Sequence, residues 1–484
     1  MSASVAAAGG EWEAVIGLEV HCELRTDTKL FCGCRNAFGD EPNTNICPVC
    51  LGLPGSLPVL NAAAVDFAMR IGTALHCEIR PSLFHRKNYF YPDMPKDYQI
   101  SQYDEPINVN GWLELPDGSR IGIERAHLEE DTGKTTHVGG GGRIHDAEHS
   151  VVDYNRAGVP LVEIVSRPDL RSAAQARAYA SELRGILVAT GASDGRMEEG
   201  SMRVDANVSV HRPHEGFGTR CEIKNLNSLR SLVRAIEHEI ARHIDILESG
   251  GAIVQQTRHW DEDQGQTVAL RSKEEAFDYR YFPEPDLVRV DPDPTWLSEV
   301  AAGVGDMPAD RRATLLALLG PDGASAARAD QIATVVENGL DALVTTAVEA
   351  GIGAPLALAR TANEASSDPE AARALEPKSF TALLRMEQDG TVSATQAKDI
   401  LGELLAHGGD PAAVARQRGY EAMAADSLGA VVDELIAAHP EEWRRYVDGD
   451  PKLEGFFIGL AMRATQKKAN GKAVVAELHN RRDS

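Results

Sequence analysis

The chain has 484 residues, more than one hydrophobic core normally holds, so roughly two to four domains are expected. Its 73 Asp and Glu residues outnumber 49 Lys and Arg residues, which gives a formal net charge of −24 at pH 7. This acidic balance excludes a protein held to nucleic acid by its overall field, although a local basic patch is still compatible with it. No apolar run reaches the length of a membrane span, so no membrane partner is expected.

The first residues are mostly small and contain no Lys or Arg, unlike a signal peptide. We therefore expect residues 1–11 to be a disordered lead-in. A cytoplasmic location follows from this expectation. In that compartment the seven cysteines should be reduced or metal-bound and not paired as disulfides.

The first strong pattern is a strand over Ile16–Leu24, in which apolar and polar residues alternate. Successive side chains of a strand point to opposite faces, so Glu19, His21 and Glu23 share one face. Two carboxylates beside a neutral imidazole form a donor set for a hard cation such as Mg²⁺. A solvated polar face on a surface strand is the alternative.

Two cysteine pairs follow this strand: Cys32 with Cys34 and, after twelve intervening residues, Cys47 with Cys50. Close cysteine pairs on neighbouring turns are typical of a tetrahedral four-cysteine zinc site, which leaves no open coordination position. The spacing therefore predicts a structural zinc that fixes the loop after the strand. Scattered free thiols are the alternative.

Residues 85–91, His-Arg-Lys-Asn-Tyr-Phe-Tyr, combine basic and aromatic side chains. Such a mixture binds a phosphate, a base or the end of a nucleic acid, and an ordinary strand with outward cations is the alternative. Further on, Gly133-Lys134-Thr135 is similar to the end of a P-loop. Leu128 stands where that loop needs a glycine, so a P-loop is excluded.

Three consecutive carboxylates, Glu129, Glu130 and Asp131, precede Lys134. Carboxylates hold Mg²⁺ and a lysine holds phosphate, so the segment fits a metal and phosphate site, with a solvated acidic turn as the alternative.

Other strand patterns also carry carboxylates. Glu163 lies inside the apolar strand Val159–Val165, where a buried carboxylate needs a partner. Another half-buried strand covers Met202–Val210, and Glu198, Glu199 and Glu222 flank it. Each signal is weak by itself, but together they predict a sheet with one acidic, metal-binding face.

Helix-period patterns predict helices over Ala173–Thr190 and Leu226–Glu248, the second ending at Gly250-Gly251. Clustered prolines predict a domain boundary near residue 294, and glycines before Asp410-Pro411 predict a second near residue 409. The predicted domains are an α+β domain at 12–294, a helical domain at 295–409 and a helical tail at 410–484.

Six long motifs together resemble one family, the B subunit of the glutamine-dependent aspartyl/glutamyl-tRNA(Asn/Gln) amidotransferase. They occur in the family's order, and the resemblance extends from about residue 12 to the C-terminus, with a less distinctive segment after residue 300. The motifs are IGLEVH at 16–21, RKNYFYPD at 86–93, HLEEDTGK at 127–134, EEGSMR at 198–203, EIKNLN at 222–227 and DYRYFPEPD at 278–286.

The resemblance implies an α+β fold class: a cradle-like domain with a mixed or antiparallel sheet akin to glutamine synthetase, an all-α domain and a small helical tail domain. It implies a ligase that uses ATP to phosphorylate the side-chain carboxylate of Glu-tRNA(Gln) or Asp-tRNA(Asn). Ammonia, which the amidase (glutaminase) subunit releases from glutamine, arrives through a channel and displaces the phosphate. A small third subunit completes the implied heterotrimer.

The resemblance also implies roles for particular residues. The family's Mg²⁺ ligands fall on positions matching Glu19, His21, Glu130 and Glu163, with Glu129 adjacent. We predict Lys87 and Lys134 as the phosphate partners in catalysis. The cysteine quartet occurs in many members and is missing from others, which supports a structural Zn²⁺.

The C-terminal tail differs in charge from the rest of the chain. Residues 455–484 carry six Lys or Arg residues against Glu477 and Asp483, which gives +4 in a chain of −24. The resemblance implies that the tail binds the backbone of tRNA(Gln) or tRNA(Asn). A solvated helix end is the alternative. The predicted tRNA-binding residues are Arg463, Lys467, Lys468 and Lys472.

Two other classes of protein stay open at this stage. One is a tRNA-binding adaptor whose acidic cluster holds only a structural ion. The other is a stand-alone metallohydrolase built on the histidine and glutamates, although the zincin motif H-E-x-x-H is absent.

Overall fold

The computed structural model describes residues 12–139, 147–269, 279–320, 325–420, 425–465, 469 and 471–482. The predicted lead-in, residues 1–11, lies outside these ranges. Compact packing divides the chain into two units, residues 1–309 and 310–484. Among the helices in the described ranges, none is long and apolar enough to cross a membrane.

The first unit contains a twelve-stranded mixed sheet and a separate two-stranded sheet formed by β7 and β8. The order of the large sheet is β13-β12-β11-β10-β1-β9-β6-β4-β3-β14, with β5 paired to β6 and β2 paired to β5. Only β11 and β12 pair in parallel among the described strands. The strands are β1 (Glu13–Glu23), β2 (Glu78–Ile79), β3 (Leu83–Asn88), β4 (Tyr98–Glu105), β5 (Asn108–Glu114), β6 (Arg120–Glu130), β7 (Lys134–Val138), β8 (His149–Asp153), β9 (Pro160–Ser166), β10 (Met202–His211), β11 (Cys221–Leu226), β12 (Thr257–Asp261), β13 (Gln266–Ala269) and β14 (Phe282–Pro283).

The alternation in β1 separates an apolar face from a polar face. Ile16, Leu18 and Val20 are fully buried and belong to the main hydrophobic core. Apolar residues of three helices, and of a fourth that includes Val300, complete this core, whereas the polar residues of β1 face the other way. The predicted strand is therefore confirmed. The helices are α1 (Ala62–Ala74), α2 (Ala173–Ala189) and α3 (Leu229–Glu248).

The strand register aligns polar residues across the middle of the sheet. His21 on β1 pairs with Arg203 on β10 at one side and with Glu163 on β9 at the other. Glu163 pairs in turn with His127 on β6. Because residues in register share a face, these four side chains form one row across the polar face.

The two predicted helices of this unit are present, with one shifted start. Helix α2 ends at Ala189, and Gly250, at φ 80°, follows the end of α3. Helix α3 begins three residues later than predicted, because β11 includes Leu226. The Ser228 side chain then accepts a hydrogen bond from the Ser231 backbone N–H and caps the helix.

The predicted boundary near residue 294 coincides with the start of helix α4 (Pro294–Ala302). Trp296, Leu297 and Val300 of this helix pack against the main core of the first unit. Compact packing therefore extends the first unit to Ala309.

The second unit is helical and contains two hydrophobic cores, one within residues 315–415 and one within residues 428–478. The large sheet of the first unit and the helices of the second unit together confirm the α+β class. The cradle shape, the likeness to glutamine synthetase and the division at residue 409 stay predictions. The helices from Pro308 onward are α5 (Pro308–Leu319), α6 (Ala326–Glu337), α7 (Asp341–Glu349), α8 (Ala354–Asn363), a 3-10 turn (Ala365–Ser367), α9 (Pro369–Ala374), α10 (Pro377–Gln388), α11 (Ala394–His407), α12 (Pro411–Gln417), α13 (Ala425–Ala438), α14 (Pro440–Val447), α15 (Lys452–Ala464) and α16 (Gly471–Arg482).

Candidate metal centre

Three side chains of the polar face converge near the middle of the row: His21, Glu129 and Glu163. Nε2 of His21 lies 3.9 Å from Oε1 of Glu129 and 3.7 Å from Oε2 of Glu163. One ligand atom from each residue lies within 4.8 Å of the other two. Two carboxylates and an imidazole at this spacing fit a divalent cation.

The electrostatics of this cluster also favour a cation. Burial, followed by the nearby charge of Glu163, raises the pKa of Glu129 to about 8. Burial lowers the pKa of His21, so the imidazole is neutral and its ring nitrogen is available as a ligand. Without a cation, two buried carboxylates this close do not both ionise readily. Although burial opposes it, the charges of neighbouring groups that include Lys87 and Arg125 lower the pKa of Glu163, so a bound cation would add to positive charge already near this carboxylate.

Glu19, another predicted ligand, lies two residues before His21 on the same face of β1. It accepts a hydrogen bond of 2.9 Å from Nδ2 of Asn207. Burial, and then the charges of Glu163 and Glu222, raise its pKa. Glu19 therefore borders the cluster without being one of its three converging residues.

Glu130 is placed differently from the prediction that it shares an ion with His21. Neighbouring residues of a strand point to opposite faces, and in β6 it is Glu129 that faces His21. The Glu130 carboxylate is buried, forms an ion pair with Lys96 and accepts a 2.9 Å hydrogen bond from the Ile100 backbone N–H. It lines a cavity of about 50 Å³ that Cys50 also borders.

The two predicted phosphate partners lie in different places. Lys87 is on β3, with its Nζ 4.8 Å from the centre of the Tyr279 ring. Its charge is close enough to the cluster to lower the pKa of Glu129. Lys134 is exposed at the start of β7, in the separate two-stranded sheet.

Sequence reasoning gave no role to several charged residues of the polar face. Nη2 of Arg203, opposite His21, lies 2.5 Å from Oδ2 of Asp131. Nζ of Lys224 lies 2.8 Å from Asp205 and 2.7 Å from Glu222. The sequence did contain a signal for them. Arg203 and Asp205 are two residues apart in a strand pattern of alternating apolar and polar residues, which places both on one face.

His127 is the remaining member of the row that the sequence did not single out. Its side chain is only 3% exposed, and burial lowers its pKa to about 4. The available signal was its position two residues before Glu129 in the same strand.

The four predicted zinc ligands do come together. Sulfur atoms of Cys32, Cys34, Cys47 and Cys50 all lie within 4.8 Å of one another. The Cys47 backbone N–H donates a 3.1 Å hydrogen bond to Sγ of Cys50, which stabilises negative charge on that sulfur. Four thiols at this spacing fit the donor set of a tetrahedral structural zinc site.

We expect the purified chain to contain one zinc ion, and Cys47→Ser to lose most of it, because three thiolates bind the ion less completely than four. Metal analysis of the purified proteins measures this. Cys77→Ser, which removes a partly buried cysteine outside the quartet, should keep the full zinc content. Full zinc content in Cys47→Ser would contradict the assignment.

Only part of the predicted tRNA-binding surface can be placed. Arg463 is exposed near the end of α15. Lys467, Lys468 and the side chain of Lys472 lie outside the described part of the chain. Arg481 forms ion pairs with Asp433 and Glu477, so it helps hold α16 against α13.

Comparisons with known proteins agree with this architecture. The GatB/GatE catalytic domain family matches residues 14–298, and the GatB domain family matches residues 356–481. The first unit is therefore a catalytic domain of the amidotransferase class.

Curated relatives cover nearly the whole chain. It is 48% identical to the B subunit of the aspartyl/glutamyl-tRNA(Asn/Gln) amidotransferase from Frankia casuarinae, over 96% of this chain and 94% of that protein. The B subunits from Carboxydothermus hydrogenoformans and Salinispora tropica are 46% and 47% identical, over 96% of this chain and 97% and 95% of those proteins. The chain therefore belongs to the B-subunit family of the aspartyl/glutamyl-tRNA(Asn/Gln) amidotransferases, as its six motifs indicated.

Proposed function

We propose that this chain activates the side-chain carboxylate of Glu-tRNA(Gln) or Asp-tRNA(Asn) with ATP and directs its amidation by ammonia. The products are Gln-tRNA(Gln) or Asn-tRNA(Asn), and the reaction forms a carbon–nitrogen bond. The observation that carries this proposal is the convergence of His21, Glu129 and Glu163 on the polar face of a sheet that belongs to this family.

The chemistry requires an activated substrate, because a carboxylate is a poor electrophile for ammonia. Phosphorylation converts the carboxylate into an acyl phosphate with a good leaving group. His21, Glu129 and Glu163 would hold the Mg²⁺ of ATP, with Glu19 at their border. When bound, Mg²⁺ neutralises charge on the phosphate oxygens during transfer.

Two fixed cations of the polar face suit the anionic reactants. Arg203 is held by Asp131 and its side chain remains 31% exposed, so part of it is accessible to a phosphate or a carboxylate. Lys87 carries a second positive charge, placed against the Tyr279 ring. Together they would orient the phosphate and the substrate carboxylate against each other. Lys134, which we also propose as a phosphate partner, lies in the separate two-stranded sheet.

The proposed partners are an amidase subunit, which supplies ammonia from glutamine, and a small third subunit, in a cytoplasmic heterotrimer that binds tRNA(Gln) or tRNA(Asn). Affinity purification of the chain from its own cells tests this assembly. Two further polypeptides should be recovered in equal amounts, and one of them should hydrolyse glutamine.

The reaction is tested with the purified heterotrimer, Glu-tRNA(Gln), γ-labelled ATP and no glutamine. ATP consumption that requires the aminoacyl-tRNA is the expected result. A tRNA-binding adaptor would show none. A stand-alone metallohydrolase would instead cleave simple esters or peptides without ATP.

We expect truncation after residue 420 to weaken tRNA binding while the first unit stays folded. Residue 420 is a better end point than residue 409, because Ala415 of α12 packs in the core of residues 315–415. Binding is measured at several salt concentrations, since phosphate contacts determine the salt dependence.

A charge-reversal pair refines the test of the tail. Lys467→Glu should weaken binding across tRNAs and reduce the salt slope by about one. Lys398→Glu changes an exposed lysine that is paired with Glu364, outside the tail, and should have little effect. Equal tRNA affinity for the truncated and full-length chains at every salt concentration would contradict the tail's role.

A further inference from the structure

We propose that His127 is a fourth ligand of the metal centre and completes a donor set of two imidazoles and two carboxylates. The inference rests on the proposed function, because it concerns the same ion. It goes further by assigning a ligand role to the first residue of the motif HLEEDTGK, for which the sequence gave no role.

The first argument is position. Glu163 pairs in register with His21 on one neighbouring strand and with His127 on the other. Its Oε2 atom lies 3.7 Å from Nε2 of each imidazole. The two histidines therefore flank this carboxylate symmetrically from both sides.

The second carboxylate repeats the arrangement. Oε1 of Glu129 lies 3.9 Å from Nε2 of His21, and its Oε2 lies 3.9 Å from Nε2 of His127. Both carboxylates thus lie within 3.9 Å of the Nε2 atom of both imidazoles.

The third argument is the lack of ordinary hydrogen bonds at His127. Its side chain is 3% exposed, and buried polar atoms are normally hydrogen-bonded. Nδ1 of His127 is buried and has no hydrogen-bond partner among the described residues. Nε2 stays beyond hydrogen-bond distance of both carboxylates. A cation between the carboxylates gives the Nε2 lone pair a partner. The ring proton then lies on Nδ1, which the ion does not reach, so this argument concerns Nε2 alone.

This donor set has a consequence for metal preference. Mg²⁺ favours oxygen ligands, whereas imidazole nitrogens raise the affinity for first-row transition ions such as Mn²⁺. A centre with two imidazoles should therefore bind Mn²⁺ more tightly than Mg²⁺. Removal of one imidazole should weaken Mn²⁺ binding more than Mg²⁺ binding.

The test uses the full-length chain with Mn²⁺ as the probe and no nucleotide or tRNA. Pulsed electron paramagnetic resonance counts the imidazole nitrogens bound to Mn²⁺. We expect two in the unmodified chain and one each in His127→Asn and His21→Asn. Titration should show at least about a tenfold loss of Mn²⁺ affinity in His127→Asn, and Mg²⁺ competition should show a smaller loss.

His243→Asn is the matched control. His243 is equally buried, 1% exposed, and its Nδ1 also has no hydrogen-bond partner among the described residues. It contacts Glu239 on α3, away from the polar row. His243, Glu239 and Cys221 also have ligand atoms within 4.8 Å of one another, so this variant shows whether a bound imidazole belongs to that group instead. It should keep two bound imidazoles and the Mn²⁺ affinity of the unmodified chain, and loss of an imidazole here would count against the role of His127.

The outcomes separate this inference from the proposed function. If Mn²⁺ binds only one imidazole in the unmodified chain, and only His21→Asn loses it, then His127 is not a ligand. The proposed centre is left intact by that result. Absence of specific Mn²⁺ binding overturns both. The count in the unmodified chain needs no variant, so a folding defect in His127→Asn does not decide the result.

Discussion

His21→Ala should reduce the formation of amidated tRNA by at least about 10²–10³-fold, the loss typical of removing one electrostatic stabiliser from an active site. His21 contributes one of the three converging ligand atoms, so its loss removes a ligand of the cation. The step affected should be ATP-dependent activation of the aminoacyl end. It is measured as tRNA-dependent ATP consumption and as amidated product.

Glu129→Gln should have a comparable effect, because it removes a carboxylate from the same three residues. Glu130→Gln, made together with Lys96→Met so that no buried charge is left unpaired, tests whether strand alternation assigns the ligand correctly. Since Glu130 faces Lys96 and not His21, this double change should preserve Mn²⁺ binding to the full-length chain. Equal loss of Mn²⁺ binding in both variants would contradict the placement of Glu129 at the centre.

Two other activities serve as controls for His21→Ala. Glutamine hydrolysis by the assembled complex and tRNA binding should both persist, because neither depends on this cluster. His76→Ala, a change at an exposed histidine stacked on Trp112, should leave amidation unchanged. If His21→Ala retained full amidation, the cluster would not be the catalytic centre. If it lost all three activities together, the cluster would be structural.

The polar face could be predicted from the sequence in strands where apolar and polar residues alternate without interruption. In β1, apolar residues on one face determine the orientation of Glu19 and His21 without further information. The same reasoning applies to β10. Which strands lie side by side could not be predicted in the same way. Strand pairing brings together residues that are far apart in the sequence, such as His21 and Arg203.

The choice between Glu129 and Glu130 came from the family resemblance, which matches a metal ligand to Glu130. Local reasoning did not decide it, because three consecutive carboxylates fitted either a metal site or a solvated turn and no strand phase was assigned to them. In the structure β6 continues to Glu130, because Lys96 and the Ile100 N–H, distant in sequence, satisfy its buried carboxylate. A pairing of that kind leaves no periodic signal.

The cysteine quartet was predictable because its chemistry is encoded in spacing. The end of the first compact unit at Ala309 depends on tertiary packing, which residue spacing does not encode. The proline cluster indicates where the chain changes direction, but Trp296 and Leu297 pack against the main core whichever element contains them.

Lys96→Met should destabilise the first unit by about 3–5 kcal/mol, the cost of leaving a buried charge without its partner. Lys96 and Glu130 have side chains that are 7% and 2% exposed. The methionine retains most of the apolar stem, so the loss reports the missing ammonium group. Hydrogen exchange of β4 and β6 amides during urea titration gives the free energy of unfolding for this unit without assuming that the whole chain unfolds in one step.

A second change distinguishes the charge from the packing around it. Glu130→Gln in the Lys96→Met background should recover most of the lost stability, because a neutral amide still accepts the Ile100 hydrogen bond and no buried charge is left. Arg80→Met, at an ion pair with Glu78 in which both side chains are about half exposed, should change the stability by only about 0–1 kcal/mol. A loss of stability in Lys96→Met as small as that in Arg80→Met would contradict this account. It would mean that solvent reaches Glu130 and that other contacts determine which face of β6 this side chain occupies.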